Sequence, residues 1–215
     1  MLTILLTRHG HTDRSEPEQY LGQRVVAQLS ERGRADAQRL AERLAGVALD
    51  RVISSPLGRA VDTAAILARD VPPETDDRLA ELDYGAWEGL TVEEIERRFP
   101  GELDAYEADP AKHRVGGAES GEDVAVRLAG LMDDLLAWWE GAQADRTCLL
   151  IGHSSVNRIF LALCLDVPLA DYRRRFTSDW ASLTVLRWPA RESGPMLLLA
   201  NDVAHVRGLR GTTWD

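Results

Sequence analysis

The chain has 215 residues, 45% hydrophobic and 28% charged, with 25 Lys and Arg against 35 Asp and Glu for a formal net charge of −10. That length supports one large domain with a sizeable core, and the composition is that of a globular protein. The acidic balance argues against a nucleic-acid or anionic-membrane partner, since both need a basic face, but leaves an anionic small molecule open as substrate for a local arginine cluster.

Taken in chain order, residues 2–7 (LTILLT) predict a short buried strand. Residues 8–30 read as loop. Ser30 is a candidate N-cap for a helix whose apolar positions Ala37, Leu40, Ala41 and Leu44 recur at helical spacing before Gly46. DRVISS predicts a second strand, ending at Pro56, and LGRAVDTAAILARD a helix with Ala60, Ala64 and Leu67 on one face. Residues 78–90 mix strand and loop signals, and TVEEIERRF is a short amphipathic helix. Residues 100–119 are rich in Pro, Gly and charge and predict an excursion from the core. GEDVAVRLAGLMDDLLAWWE is a long helix, in which Trp138 and Trp139 read as helix packing or a dimer surface. RTCLLIGH is a third buried strand, followed by a helix over about 154–165 and two late strands, ASLTVLRW and PMLLLAN.

No basic segment followed by an apolar run opens the chain, so neither a secretory leader nor a membrane span is expected. Cys148 and Cys164 lie in apolar stretches and read as buried free thiols, which fits a reducing, cytoplasmic setting. Strands alternating with helices predict an α/β fold, a three-layer α/β/α sandwich with a largely parallel central sheet. The whole of 1–215 is expected to form one domain, with a cap-like excursion around 91–119. Ligands bind such sheets at the carboxyl ends of the strands. His9 follows the first strand, Ser54 and Arg59 the second, and His153 ends the third.

Three chemistries compete for that edge. His9-Gly10-His11 has a His-x-His form found in some metal-dependent barrels, but those need about 250 residues, and the adjacent Arg8 repels a cation. Gly152-His153-Ser154 approaches a serine-nucleophile elbow, with Asp179 or Asp202 and then His205 in the required order. Val156 stands where that elbow needs a glycine, and Arg8 and His9 stay unexplained. In the third reading Arg8, His9, Arg59 and His153 converge on a tetrahedral dianion. Arginine matches phosphate oxygens with planar paired donors, and a histidine ring nitrogen is nucleophilic at neutral pH. The leaving oxygen then needs a carboxylic acid, for which Glu81 and Glu88 in AELDYGAWEG are candidates.

TRHGHT resembles the R-H-G-x-T signature of the histidine phosphatase superfamily, which includes cofactor-dependent phosphoglycerate mutases. VISSPLGRAVDTA, LAELDYGAWEG, GGAESGEDV, LLIGHSS and NDVAHV resemble further segments of that family, in its order and over almost the whole chain. The resemblance implies a phosphoglycerate mutase-like fold, His9 as phosphorylated nucleophile, a phosphate pocket of Arg8, Arg59 and His153, and Glu81 as proton donor. It implies no metal and no organic cofactor. Ser15, Gln23 and Ser154 are the further expected phosphate contacts. The sequence departs from the family pattern at His11, at Ser15, and after Gly22, where VVAQLS replaces the usual Asp-x-Pro-Leu-Thr run.

The expectation is a metal-independent phosphomonoester hydrolase working through a phosphohistidine on a small phosphorylated metabolite. A phosphoglycerate mutase is the alternative. The mutases of the family grip their substrate with basic residues in a long insertion, whereas here residues 100–119 carry Glu102, Asp104, Glu107, Asp109 and Glu119 against Lys112 and Arg114. A non-catalytic phospholigand-binding protein on the same fold is the third possibility. His113 and His205 are expected to stand outside the chemistry.

Overall fold

The computed structural model describes residues 1–207 apart from residues 69 and 143. Its strands are β1 (Leu2–Arg8), β2 (Arg51–Ser54), β3 (Glu74–Thr75), β4 (Arg146–Gly152), β5 (Leu183–Trp188) and β6 (Met196–Asp202). Its helices are α1 (Glu31–Arg43), α2 (Gly58–Leu67), α3 (Val92–Arg98), α4 (Glu102–Ala108), α5 (Gly121–Ala142), α6 (Ser154–Cys164), α7 (Tyr172–Arg175) and α8 (Ala204–Arg207). The strands form one sheet in the order β3-β2-β4-β1-β5-β6. The first four positions are parallel, and β5 and β6 are antiparallel additions at the far edge.

Side chains alternate across a strand, and this sheet uses both faces. Leu2, Ile4 and Leu6 of β1, Ile53 of β2, and Cys148 and Leu150 of β4 face one buried cluster with Leu128 and Leu135 of α5 and Ile159 and Phe160 of α6. Leu5, Val52, Leu149 and Ile151 face a second cluster with Leu40, Ala41, Ala60, Ala64 and Leu67 of α1 and α2. Helices therefore cover both faces, as the apolar, non-alternating strands require.

Ser30 caps α1, its hydroxyl accepting from Gly33 N at 3.1 Å. Thr91 and Glu94 form a reciprocal capping box at the start of α3. Three local differences from the sequence reading stand out. Residues 78–90 hold no strand; they make two single 3-10 turns, Asp77–Leu79 and Gly85–Trp87. Two-residue β3 is too short to leave a periodic signal. The 100–119 stretch contains α4, and its Tyr106 and Val115 are fully buried in the larger cluster, so apolar residues anchor this charged segment. Trp138 packs against that cluster, with the guanidinium of Arg51 5.4 Å from its ring centre. Cys148 is buried and Cys164 partly buried, both as free thiols; burial pushes both thiol pKa values up, Cys148 to about 12. Among the described residues no helix is long and apolar enough to cross a membrane.

Candidate active site

Sheet register builds the site. Arg8, the last residue of β1, pairs with Gly152, the last of β4. The next residue on each strand is a histidine, so the rings of His9 and His153 come to 5.0 Å between centroids. Ser54 pairs with Ile151 on the other side of β4. This brings Ser55 to His153, with Ser55 Oγ 2.7 Å from His153 Nε2. Strand-end reasoning singles out Ser54, but its hydroxyl donates to the Ser55 carbonyl. Ser55, one residue further, is the contact.

Arg59 lies on the face of α2 that also buries Ala60, Thr63, Ala64 and Leu67, and is 2% exposed. Its Nε donates to His9 Nε2 at 3.2 Å, and Nη2 donates to the carbonyls of Leu21 and Gly22. His9 Nδ1 lies 2.7 Å from the Gly10 carbonyl, which fixes the proton there and leaves the Nε2 lone pair outward. Arg8 Nη1 donates to the Ser178 carbonyl at 2.9 Å, and its guanidinium lies 4.9 Å from the centre of the Trp180 ring.

Two glycines set the loop after His9 against α1. A Cβ on Gly10 would stand 2.6 Å from the Gly33 carbonyl oxygen, and one on Gly33 would stand 2.0 Å from the His11 carbonyl oxygen. The chain approaches itself too closely for any other residue, which accounts for the glycine after the histidine. His11 belongs to this packing: Nδ1 lies 2.8 Å from Ser30 Oγ, and the ring meets Trp180 edge-on.

Glu81 is 4% exposed. Its carboxylate accepts from Leu82 N at 2.9 Å and, at 3.3 Å each, from Ser155 N and Val156 N in the first turn of α6. An acidic side chain at a helix start takes up orphan N–H groups that side chain or ligand must otherwise satisfy. Glu88 is placed differently. Its carboxylate accepts from the backbone N–H of Gln23, Arg24 and Val25 at 2.8, 2.7 and 3.0 Å and so fastens that loop.

Arg8, His9, Glu81, Ser15 and Ser154 line one cleft of about 260 Å³, with Arg14, Tyr20, Tyr84, Arg158, Arg173 and Trp180. The hydroxyl of Ser15 is already engaged with Thr12, and that of Ser154 with Arg158. Gln23 is not brought to this cleft: its amide donates to the Glu81 carbonyl at 2.8 Å, and it lines a neighbouring one. Arg158, Arg173 and Trp180 escaped the sequence reading. Arg158 was legible as the residue one turn beyond Ser154 on the same helix; Arg173 and Trp180 sit in a stretch with no pattern linking it to the site. The serine-nucleophile constellation does not assemble, because His205 Nε2 lies 2.9 Å from the Ala181 carbonyl while Ser154 bonds Arg158. His113 contacts Glu102 on α4. Among the described residues no three His, Cys, Asp or Glu side chains come together as a metal site.

Burial, with Arg59 and Arg8 adding positive charge, pulls the His9 pKa well below the usual imidazole value; burial and Arg59 do the same to His153. Both rings are thus neutral in the free protein. In the unfolded chain they take up protons near the ordinary value of about 6.5. Below that pH the unfolded state binds more protons than the folded one, so the stability contributed by keeping them neutral is lost as pH falls. Thermal melts in phosphate-free buffer should show Tm declining from pH 7 to pH 5, and His153→Asn should flatten the decline; a Tm indifferent to pH over this range would contradict the assignment of neutral, buried rings.

A neutral imidazole between fixed guanidiniums is a receptor for a tetrahedral oxyanion. The chain belongs to the histidine phosphatase superfamily (branch 1), which it matches over residues 4–202. It is 28% identical over 208 residues to phosphoserine phosphatase 1 of Hydrogenobacter thermophilus, covering 96% of this chain and 95% of that protein. It is 35% identical over 175 residues to glucosyl-3-phosphoglycerate phosphatase of Mycobacterium tuberculosis, covering 79% of this chain and 78% of the relative. The solved structure of Bacillus stearothermophilus YhfR superposes with a TM-score of 0.84 at 29% identity, covering 96% of this chain and 100% of that one.

Proposed function

We propose that the protein hydrolyses phosphomonoesters of small metabolites without a metal, through a phosphohistidine on His9. The observation that carries this reading is the His9 ring, which lines the cleft with Arg8 and Glu81: its Nδ1 is tied to the Gly10 carbonyl, and its Nε2 accepts from the buried Arg59.

On substrate binding the phosphoryl oxygens take the Arg59 Nε–H that His9 Nε2 holds in the free enzyme, which frees the lone pair for in-line attack. The P–O bond to the leaving group breaks as the P–N bond forms, and Glu81 gives its proton to the departing oxygen. Arg8, Arg59 and His153 carry the charge on the equatorial oxygens. Water then attacks phosphorus from the vacated side and gives its proton to the Glu81 carboxylate. The P–N bond breaks, releasing inorganic phosphate and restoring neutral His9. The names of the relatives, which act on a phosphoserine and a glucosyl-phosphoglycerate, support small phosphorylated metabolites as the substrate class.

The test is phosphate release from a panel of phosphomonoesters, run before and after exhaustive treatment with EDTA. Turnover should be the same in both. Loss on chelation with recovery on adding zinc or manganese would overturn the metal-independent mechanism. Transfer of the phosphoryl group chiefly to an added hydroxy acid, rather than to water, would mark a mutase instead.

A further inference from the structure

His153 follows β4 directly, and its ring is fully buried beside that of His9. One ring nitrogen, Nε2, lies 2.7 Å from the Ser55 hydroxyl oxygen. The other, Nδ1, meets no hydrogen-bonding partner among the described residues. A neutral imidazole carries one proton, so one nitrogen donates and the other accepts. Which is which decides whether the ring offers an oxyanion an N–H or a lone pair.

The bonds of Ser55 settle the choice. Ser55 is itself fully buried. Its N–H donates to the Ile151 carbonyl of β4 at 2.9 Å, and its carbonyl accepts from the Ser54 hydroxyl at 2.8 Å. Pro56 follows and has no N–H, so the next donor along the chain, Leu57 N–H, reaches back to the Ser55 hydroxyl oxygen at 3.2 Å. That oxygen therefore accepts from the residue that opens α2, the helix carrying Arg59. Its own proton remains, and His153 Nε2 is the acceptor within reach.

The two possible tautomers leave different groups unpaired. With the ring proton on Nδ1, Ser55 donates to Nε2, and the Nδ1–H alone has no partner. With the ring proton on Nε2, the ring donates to Ser55; the Ser55 proton and the Nδ1 lone pair are then both buried without partners. One unpaired polar group costs less than two, and an N–H is the one that a bound phosphoryl oxygen can satisfy.

We infer that Ser55 is a positioning residue that sets the tautomer of His153, holding its proton on Nδ1 so that the ring meets the substrate phosphoryl group as a hydrogen-bond donor. This rests on the phosphatase reading for the presence of that group. His9 and His153 then carry their protons on the same ring nitrogen and do opposite work. His9 spends its Nδ1 proton on the Gly10 carbonyl and keeps the Nε2 lone pair for phosphorus. His153 spends its Nε2 lone pair on the Ser55 hydroxyl and keeps an N–H for oxygen. A donor fixed before binding needs no rearrangement when charge develops on that oxygen.

The tautomer is read in the free protein by long-range 1H–15N correlation of the imidazole rings at pH 7 in phosphate-free buffer. The His153 signals are assigned by their absence from His153→Asn. The wild type should show a protonated Nδ1 and an unprotonated Nε2. Ser55→Ala should move ring proton toward Nε2 and weaken the binding of inorganic phosphate, measured by isothermal titration, by roughly 2- to 10-fold, the net worth of one hydrogen bond. In the His153→Asn background Ser55→Ala should cost no further phosphate affinity, because its effect runs through the ring. Ser55→Cys, similar in size but a weaker donor, gives the same reading should Ser55→Ala fail to fold. A proton on Nε2 in the wild type would overturn the proposal. So would a loss of phosphate affinity that is equal in both backgrounds, which would mark a structural role. The phosphatase reading has its own measurement: absence of phosphate release from every ester tested removes that reading, while an Nδ1 proton displaced by Ser55→Ala would still stand for the control of the ring by Ser55.

Discussion

His9→Ala is expected to lower turnover by about 10³-fold or more, the scale on which enzymes with covalent intermediates suffer when the nucleophile is removed. The size follows from the geometry. His9 lines the cleft, whereas His153 Nε2 is engaged with Ser55 Oγ and the Ser154 hydroxyl with Arg158. Wild-type enzyme quenched in acid-free denaturant during turnover of a radiolabelled ester should carry label that acid removes and alkali spares, the behaviour of a phosphoramidate. The variant should carry none. It should still fold, because trimming this one ring leaves the sheet register Arg8 to Gly152 untouched. Near-wild-type turnover by His9→Ala, or label that survives acid, would sink the phosphohistidine.

Glu81→Gln should separate two kinds of substrate. An alkyl phosphate has a poor leaving group that needs a proton, whereas p-nitrophenolate departs nearly unaided. General acid catalysis contributes ~10²–10⁴-fold, so the alkyl ester should lose that much while the aryl ester loses far less. Arg59→Ala, by contrast, should slow both alike, since it removes a contact to the common phosphoryl group. An amide oxygen standing in for Oε1 in this variant can still accept the Leu82 and Val156 N–H bonds, and only the Ser155 contact to Oε2 is lost, so most of the local backbone anchoring is kept. Equal defects on both esters would point to a structural role. The same comparison on Glu88→Gln should show no such split, since its carboxylate is spent on the loop at residues 23–25. Burst kinetics must first establish that chemistry limits the rate.

The order in which these residues become readable has physical reasons. The strand ends were legible because buried parallel strands are short apolar runs, and a run that stops at Arg8-His9 or Gly152-His153 announces its polar end. Arg59 was legible only with the helix phase: it shares the face of Ala60, Ala64 and Leu67, so it points inward. Three things were hidden. The antiparallel turn of β5 and β6 depends on which edge the chain returns to, and periodicity carries no such information. Gln23 was expected at the phosphate by position along the chain, but its loop is steered by Glu88, 65 residues away, and its amide turns to the Glu81 carbonyl. Arg173 is anchored by Tyr106, a pairing 67 residues apart that becomes visible only when α4 folds onto the core.

The two thiols bear on how this enzyme meets its chemical environment. Alkylating agents and peroxide attack the thiolate, and burial keeps both Cys148 and Cys164 protonated, the former inside β4 and facing the core rather than the cleft. The reacting atom of the proposed mechanism is a ring nitrogen, which such oxidants leave alone. A phosphatase that works through this ring needs no thiolate, so its turnover is expected to withstand peroxide that silences phosphatases relying on a cysteine nucleophile.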